Sequence, residues 1–425
     1  MEVQTFGEPF EIIPAKTILE KIAKGEPVEH DRVIVKGDID TRKIEVMKHY
    51  NKISNLIIIT NSKIDGFVNF EGAEFKRDIN FSGTCFKNIV DFSNAKFGGN
   101  AYFGTSKFND NGYFTGSIFI GRAHFWQAQF KKDASFIECN FINYADFRSA
   151  IINKYANFTG STFKELADFK GAIFKSYANF SKIEFFKDLI FTECNFNGDF
   201  DLINSKCKGN VHIVKTTFNG ITNFNDSIFD EIVNLEESLF KNLYLINLSL
   251  NRTLYIKNAE FKTIHVSWEL IRKKLICDGT VYKIFIKNFL NLEQSKEADN
   301  CYYDYKEWGR NQKNFGYPKI ADWLSKISYG YGVRPFRPLF IGVIIVGIFS
   351  IIYWKFNAIS DSQAMGIYIQ DPMWRAAYYS ALSFIANSKS IPWNEPFEWL
   401  GLVESFIGWL LMALFLVTLS RTRMR

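Results

Sequence analysis

The 425-residue chain is poor in the patterns that build a metal site or a disulfide framework. Its six cysteines are spread without a Cys-x-x-Cys pair or a Cys/His spacing that suits zinc or a disulfide scaffold. We therefore expect reduced thiols, several of them in the core, and no cofactor. These cysteines are Cys85, Cys139, Cys194, Cys207, Cys277 and Cys301.

Strong charge and a secretory signal are also lacking. The net charge is only +6, and no basic run is long enough for a nucleic-acid-binding arm. The N-terminal segment MEVQTFGEPF lacks the basic, apolar and small-residue order of a signal peptide, so we expect the soluble part to stay in the cytoplasm. His124, His212 and His265 lie far apart and no carboxylate pair stands out, which predicts that the chain is not an enzyme.

The residue in excess is phenylalanine, 44 residues against 9 prolines, and it forms an internal repeat. Phe recurs every eleven residues, at 70, 81, 92, 103, 114, 125, 136, 147, 158, 169, 180 and 191. A second series, offset by five, is 75, 86, 97, 108, 119, 130 and 141, then Ile152, then 163, 174, 185 and 196. A small residue, usually Ala, stands two positions before most of them.

The pattern weakens downstream of Phe196 but continues to Ile246, and Ile59 and Ile64 extend it upstream. The downstream positions are Leu202, Cys207, Ile213, Phe218, Phe224, Phe229, Leu235, Phe240 and Ile246. A helix cannot hold them on one face, since steps of five and six residues rotate a side chain by about 140° and 240°. A solenoid of short flat sides can, with identical rings stacked from coil to coil.

The repeated unit resembles that of the pentapeptide-repeat family, as in AYFGT, ASFIE, ADFRS, ANFTG, ADFKG and ANFSK. The resemblance covers about residues 55–262 and implies a mainly β solenoid, a right-handed quadrilateral β-helix with about 22 residues per coil. Residues 1–54 are expected to form an N-terminal cap and the first irregular coils, including a helix over 17–24. Residues 263–333 are expected to form a helical linker and an interfacial segment, with helices over 282–291 and 293–313.

DNA mimicry, which requires a strongly acidic surface, is not expected of this solenoid. Between Asp65 and Lys262 there are 22 Lys and Arg against 22 Asp and Glu, a net charge of zero. Outward aromatic residues allow two interpretations, a surface for a protein partner or simple packing beside the turns. They are Tyr102, Tyr113, Trp126, Tyr144, Tyr155 and Tyr177.

Two apolar runs predict spans of a lipid bilayer over about 338–355 and 399–420, within a domain of residues 334–425. Arg334 and Arg337 precede the first span, and Arg421, Arg423 and Arg425 follow the second. The positive-inside rule then puts both termini in the cytoplasm of a two-span cell-membrane protein.

Between the spans, residues 374–386 (WRAAYYSALSFIA) predict an amphipathic helix too short to cross. Two spans around a half-crossing helix resemble the pore domain of the two-helix potassium-channel family. The residues that carry this resemblance are YYSALSF, Glu404 and GWLLMALFLVTLSR. The resemblance implies a homotetramer that passes ions, with Ser383, Phe384, Asn387, Ser388 and Lys389 in the pore or filter region.

The filter segment departs from the family pattern. A potassium filter is a Thr-x-Gly-Tyr-Gly string directly after the short helix, whereas this chain reads IANSKSIPW, without glycine and with a positive Lys389. The sequence therefore predicts no ordinary potassium selectivity. Either another ion passes with poor discrimination, or the pore fold is a non-conducting tetrameric anchor.

Two residues of the second span have alternative interpretations. Glu404 is either a filter-support carboxylate bonded to the short helix, for example to Ser380 or Ser383, or an interfacial side chain that reaches outward. Gly408 is either a gating hinge or a site of close helix packing.

Two functions follow. One is a homotetrameric channel-like protein whose cytoplasmic solenoids serve assembly, sensing or gating. The other is a membrane-anchored scaffold whose solenoid binds a protein partner.

Overall fold

Short parallel strands, most of them two residues long, build the N-terminal part of the chain. The computed structural model describes residues 10–44, 52–360, 369–385 and 391–423, which cluster into two units, residues 1–284 and 285–425. In the first unit each strand pairs in parallel with the strand one coil later, 22 residues along the chain through most of the solenoid. Four strands complete a coil, so the unit is a four-faced parallel β-solenoid of about 12 turns, as predicted.

The four faces, called A to D in chain order, are made of the following strands. Face A holds Glu11–Pro14, Val33–Lys36, Lys63–Ile64, Cys85–Phe86, Lys107–Phe108, Gln129–Phe130, Ile151–Ile152, Ile173–Phe174, Asn195–Phe196, Thr217–Asn223, Leu239–Tyr244 and Glu260–His265. Face B holds Ile39–Asp40, Val68–Asn69, Val90–Asp91, Gly112–Tyr113, Ala134–Ser135, Ala156–Asn157, Ala178–Asn179 and Phe200–Asp201. Face C holds Lys52–Ile53, Glu74–Phe75, Lys96–Phe97, Ile118–Phe119, Asn140–Phe141, Thr162–Phe163, Glu184–Phe185, Lys206–Cys207, Ile228–Phe229 and Ser249–Leu250. Face D holds Val28–Asp31, Ile57–Thr60, Ile79–Asn80, Ala101–Tyr102, Ala123–His124, Ala145–Asp146, Ala167–Asp168, Leu189–Ile190, Val211–His212, Val233–Asn234, Leu254–Ile256 and Leu275–Cys277.

The predicted Phe series forms the core. Phe136 is fully buried and stacks on Phe114 and Phe158, with ring centroids 4.9 and 4.8 Å apart and planes within 5° and 8° of parallel. Phe125 and Phe147 meet the same ring edge-on, at 85° and 88°. The Phe rings thus stack at the separation of neighbouring strands, and edge-on contacts join one stack to the next. This packing leaves no room for water between the rings.

Each coil turns twice through a left-handed residue, which explains the Gly and Asn of the repeat. Positive φ angles recur every eleven residues from Gly72 through Gly83, Asn94, Thr105, Gly116, Gln127, Glu138, Ser149, Gly160, Gly171, Lys182, Glu193, Asn204, Lys215, Asp226 and Glu237. Glycine and asparagine accept this conformation most readily. The other nine of these sixteen positions hold residues that adopt it less readily.

Buried hydroxyl groups occupy part of the small-residue track. Ser161 Oγ donates to the Phe136 carbonyl oxygen at 2.5 Å and accepts from the Cys139 backbone N–H at 2.9 Å. Ser117 and Ser205 donate in the same way to the carbonyls of Phe92 and Phe180, at 2.6 and 3.0 Å. A small polar residue here therefore links neighbouring coils through two hydrogen bonds, so its buried hydroxyl group is satisfied.

One core prediction is wrong at the last coils. Ile246 is 46% exposed, and Leu245 takes the inward position. The pairing shifts between Phe218 and Ile221, after which partners lie 21 rather than 22 residues apart, as in Ile221 with Asn242. A one-residue contraction of the coil thus moves the inward track from 246 to 245.

The solenoid extends beyond the predicted range of 55–262 at both ends. Glu11–Pro14 and Val33–Lys36 already pair in register, and Leu275–Cys277 adds a strand after residue 262. The predicted N-terminal helix is present as helix α1, Ala15–Lys24, whose Ile18 and Ile22 are buried. Among the cysteines, Cys139, Cys194 and Cys207 are buried free thiols in the core, and their burial raises the pKa of each thiol.

The short helix α2, Trp268–Ile271, precedes the last strand of the solenoid, and further helices follow that strand. They are α3 Gly279–Asn291, α4 Ser295–Asn311, α5 Tyr317–Tyr329, α6 Phe336–Lys355, α7 Pro372–Ile385 and α8 Glu398–Arg423. Short 3-10 turns lie at Thr41–Lys43, between strands of the first coils, and at Gly330–Gly332. The helices predicted over 282–291 and 293–313 correspond to α3 and α4. The two apolar spans and the short helix between them correspond to α6, α8 and α7.

Candidate functional site

Helices α6 and α8 are long and apolar enough to cross a membrane. The candidate spans are Phe336–Lys355, 20 residues, and Glu398–Arg421, 24 residues. Only 17% and 22% of their apolar windows are buried within the chain. The core helices of a soluble protein would be mostly buried, so these apolar surfaces need lipid or another protein surface to cover them.

Helix α7 lies between the two spans and runs antiparallel to α6. Near its middle, Ser380 Oγ contacts the Val346 carbonyl oxygen at 3.0 Å, and near its end the Phe384 ring packs on Gly342. Towards its start, Ala376 and Tyr379 belong to a buried cluster with Tyr353 near the end of α6. With 14 residues, about 21 Å, α7 is too short to cross a hydrocarbon core of about 30 Å.

A buried carboxylate ties the three helices together. Glu404 of α8 is fully buried, and its Oε1 accepts a hydrogen bond from Ser380 Oγ of α7 at 2.5 Å. Its Oε2 accepts from Tyr353 Oη of α6 at 2.6 Å. The predicted contact with Ser380 is present, and the side chain does not reach outward as the interfacial alternative requires. Whether it supports a filter remains a prediction.

Ser383 makes a second polar link, one turn further along α7. Its hydroxyl donates to the Gly401 carbonyl oxygen at 3.1 Å, and Ser405 Oγ donates to the Ser383 carbonyl at 2.7 Å. The Ser383 side chain is fully buried. It therefore positions α7 on α8 in this chain.

Glycines set the distance between the helices. A Cβ atom on Gly408 would overlap the Phe384 carbonyl oxygen, and one on Gly342 would lie 2.8 Å from the Phe384 ring. A Cβ on Gly401 would overlap the Trp393 ring in the same way. Small residues at such crossings allow backbones to approach closely in membranes. The structure thus shows the close-packing role of Gly408, and the hinge role stays a prediction.

The predicted site residues therefore divide into two groups. Ser383, Phe384, Glu404 and Gly408 come together where α7 meets α8. Asn387, Ser388 and Lys389 lie outside the described residues. Three further contributors were missed, namely Tyr353, Gly342 and Trp393. Tyr353 stands among other aromatic residues of its span, Phe340, Phe349 and Trp354, so the sequence offered no signal for its role.

Arginines at the ends of the two candidate spans converge on α4. The Arg334 and Arg337 guanidinium groups lie 5.4 and 5.3 Å from the Tyr303 ring centroid, and that of Arg421 lies 4.8 Å from Tyr302. Arg334 also donates to Asn300 Oδ1 at 2.7 Å. Helix α4 thus holds the start of α6 and the end of α8 on one side of the helical unit.

Four of the six outward aromatic residues of the solenoid pack against neighbouring rings, while Trp126 is 43% exposed. Tyr102 stacks on His124 at 4.9 Å, and Tyr155 stacks on Tyr177 at 5.3 Å. Beside them, Arg148 makes a bidentate contact with the buried Asp146, at 2.9 and 2.8 Å. Burial alone would raise the pKa of Asp146, but the hydrogen bonds from Arg148 outweigh it and lower that pKa to about 2.

Comparison with known proteins gives one family. Residues 92–140, 136–184 and 147–195 match the model of the family described as pentapeptide repeats (9 copies). The matched segments lie in the stacked coils and confirm the repeat that the sequence predicted. No curated protein and no solved structure gives a significant match. These comparisons do not support a potassium-channel-like fold or a selectivity filter, so that resemblance stays a prediction.

Proposed function

We propose that this chain, a pentapeptide-repeat solenoid followed by two candidate membrane spans, assembles as a homotetrameric, ion-channel-like membrane protein. Helices α6 and α8 cross the bilayer, α7 enters it halfway, and the solenoid stays in the cytoplasm for assembly, sensing or gating. The single observation that carries the proposal is the position of α7, which ends against the middle of α8.

The depth of that end follows from helix geometry. Gly408, which contacts the Phe384 carbonyl, lies ten residues after the first residue of α8. At 1.5 Å per residue this is about 15 Å, half of a hydrocarbon core of about 30 Å. The first described residue after the end of α7 is Ile391. It belongs to the buried cluster with Tyr353, which lies near the end of α6, whereas the last turn of α7 packs near the start of α6. The chain therefore enters and leaves the candidate membrane region on one side.

A helix that ends at this depth needs more than lipid around its last residues. The last carbonyl groups of α7 have no partner within the helix, and lipid cannot hydrogen-bond them. Non-helical backbone at membrane depth is tolerated where it is buried in protein or lines water. Further copies of the chain around a central aqueous path meet both needs, and the negative end of the α7 dipole favours cations there.

The charge pattern gives the orientation. Arg334, Arg337 and Arg421 gather at the ends of α6 and α8 that lie away from the entry of α7. Basic residues flank spans on the cytoplasmic side. The start of α6 and the end of α8 then lie in the cytoplasm, and α7 enters from outside.

Ion flux from liposomes tests the proposal. Purified protein is reconstituted, its oligomeric state is measured, and K⁺, Na⁺ and Cl⁻ flux are compared for the wild type, Lys389→Gln and the control Lys355→Gln. Lys355 is an exposed lysine at the end of α6. We expect cation flux with weak K⁺/Na⁺ discrimination, altered by Lys389→Gln alone. Tetramers without flux of any ion would instead favour a non-conducting anchor for a partner-binding solenoid.

A further inference from the structure

Helix α5 carries an apolar stripe that the described residues of the chain leave about half exposed. Ile320, Trp323, Leu324 and Ile327 follow the i, i+3, i+4, i+7 spacing that places side chains on one helix face. Their exposed fractions are between 44% and 54%, and no residue of α5 is buried. In water such a face is costly, so something outside the chain is expected to cover it.

Basic residues flank this stripe on one side. Arg310, Lys319 and Lys326 line a groove of about 520 Å³ together with Phe315, Trp323 and Ile327. Arg310 and Lys326 share one carboxylate, that of Glu307, at 3.1 and 2.6 Å. Lys319 donates to the Lys313 carbonyl oxygen and meets no carboxylate in the part of the chain that the structure describes. Residues 305–329 contain five Lys and Arg and two Asp and Glu, which gives this segment a net charge of +3.

The groove stands next to a candidate span. Helix α5 ends at Tyr329, and α6 begins at Phe336. A basic amphipathic helix this close to a span has the chemistry of a segment that lies in the headgroup layer. Aromatic and aliphatic side chains enter the acyl boundary, while lysine and arginine remain at the level of the phosphates.

We propose that the groove between the end of α4 and α5 binds the headgroup of an anionic phospholipid. Its phosphate lies among Arg310, Lys319 and Lys326, and its acyl chains cover Trp323 and Ile327. The inference rests on the membrane placement proposed above and is independent of whether the protein conducts ions.

Lipid binding to the full chain in detergent tests this proposal. Phosphatidylglycerol, phosphatidylcholine with the same acyl chains, and inorganic phosphate are titrated separately, and bound lipid is counted by native mass spectrometry. Lys319→Gln is compared with Lys296→Gln, which removes an exposed lysine from the first turn of α4. Thermal unfolding of each variant confirms that it is folded.

We expect phosphatidylglycerol to bind more tightly than phosphatidylcholine, and Lys319→Gln to weaken it about fivefold, the usual effect of one basic residue at an anionic surface. Lys296→Gln should leave the affinity unchanged. Equal affinity for both lipids, an equal loss in the two variants, or phosphate competing as well as the lipid would each overturn the proposal. Because no ion flux is measured, its failure is distinguishable from absence of conduction.

Discussion

Ser380 and Glu404 are joined by a hydrogen bond of 2.5 Å that links the half-length helix α7 to the long helix α8 inside the apolar helical unit. Tyr353 of α6 bonds the second carboxylate oxygen, so one side chain connects three helices. A buried polar group with all its partners rigidifies its surroundings, whereas a partly satisfied one destabilises them. The stability of this unit therefore depends more on the buried Glu404 than on the exposed acidic residues of the same unit.

Replacement of Glu404 tests this dependence. Glu404→Ala leaves the buried Tyr353 hydroxyl without its acceptor, at a cost of about 1 to 3 kcal/mol, whereas Ser380 can still donate to the Val346 carbonyl oxygen. Glu404→Gln keeps an acceptor and a donor of the same shape and should lose much less. The melting temperature of the purified protein in detergent measures both. Glu398→Ala, at the exposed first residue of α8, is the matched control and should be neutral.

Substitution at Gly408 should separate α7 from α8. A methyl group there overlaps the Phe384 carbonyl, and relief of such overpacking typically costs about 1 to 3 kcal/mol. Gly408→Ala should therefore lower the melting temperature in detergent. Gly347→Ala is the control, because a Cβ at Gly347 of α6 meets nothing within 4 Å. Equal stability of the two variants would show that the glycine contact is unimportant.

Loss of one core ring should weaken only the neighbouring coils. Phe136→Ala removes a fully buried ring that contacts six others, at an expected cost of about 3 to 5 kcal/mol. In a solenoid each coil contacts its neighbours, so hydrogen exchange should rise over residues 114–158 and not in the terminal coils. Phe186→Ala, which removes a partly exposed ring held between Lys164 and Lys208, should change exchange little. Uniform acceleration along the solenoid would contradict the picture of local stacking.

The Asp146–Arg148 contact predicts a pH dependence. The pKa of Asp146 falls from 3.8 to about 2 in the folded protein, so the charged carboxylate is favoured by folding. This stabilisation is complete above about pH 4 and is lost as the pH falls towards 2. The substitution Arg148→Gln removes this stabilisation. The variant should therefore lose less free energy of unfolding than the wild type when the pH falls from 4 to 2. Arg122→Gln, an exposed arginine on the same part of face D, should follow the wild type.

The solenoid could be predicted because its core consists of one contact repeated many times. The two Phe series between Phe70 and Phe196 each repeat every eleven residues. Every Phe ring in these series is buried, as the repeat predicts. The exception, Ile246, shows the limit of such reasoning. A one-residue contraction leaves an apolar residue on either side of the coil corner, Leu245 or Ile246, and only strand pairing decides which one turns inward.

The helical site was predicted less completely, since its contacts join residues far apart in sequence. The cost of a carboxylate in a span pointed to Glu404, and the small polar residues of the short helix pointed to Ser380. Nothing in the pattern of α6 distinguished Tyr353 as the other partner. Likewise, Gly401 meets Trp393, which lies eight residues earlier and outside the helix, a contact that side-chain periodicity does not encode.

The central claim, that α7 ends in water at mid-membrane depth, is tested most directly by the reactivity of a cysteine at Ile385. Ile385 is the last residue of α7 and its side chain is exposed in the single chain. In liposomes or cells, Ile385→Cys is treated from outside with a membrane-impermeant thiol reagent. Ile344→Cys, an exposed apolar position inside α6, is the control. We predict rapid modification at 385 and none at 344. Protection at both positions would contradict the account.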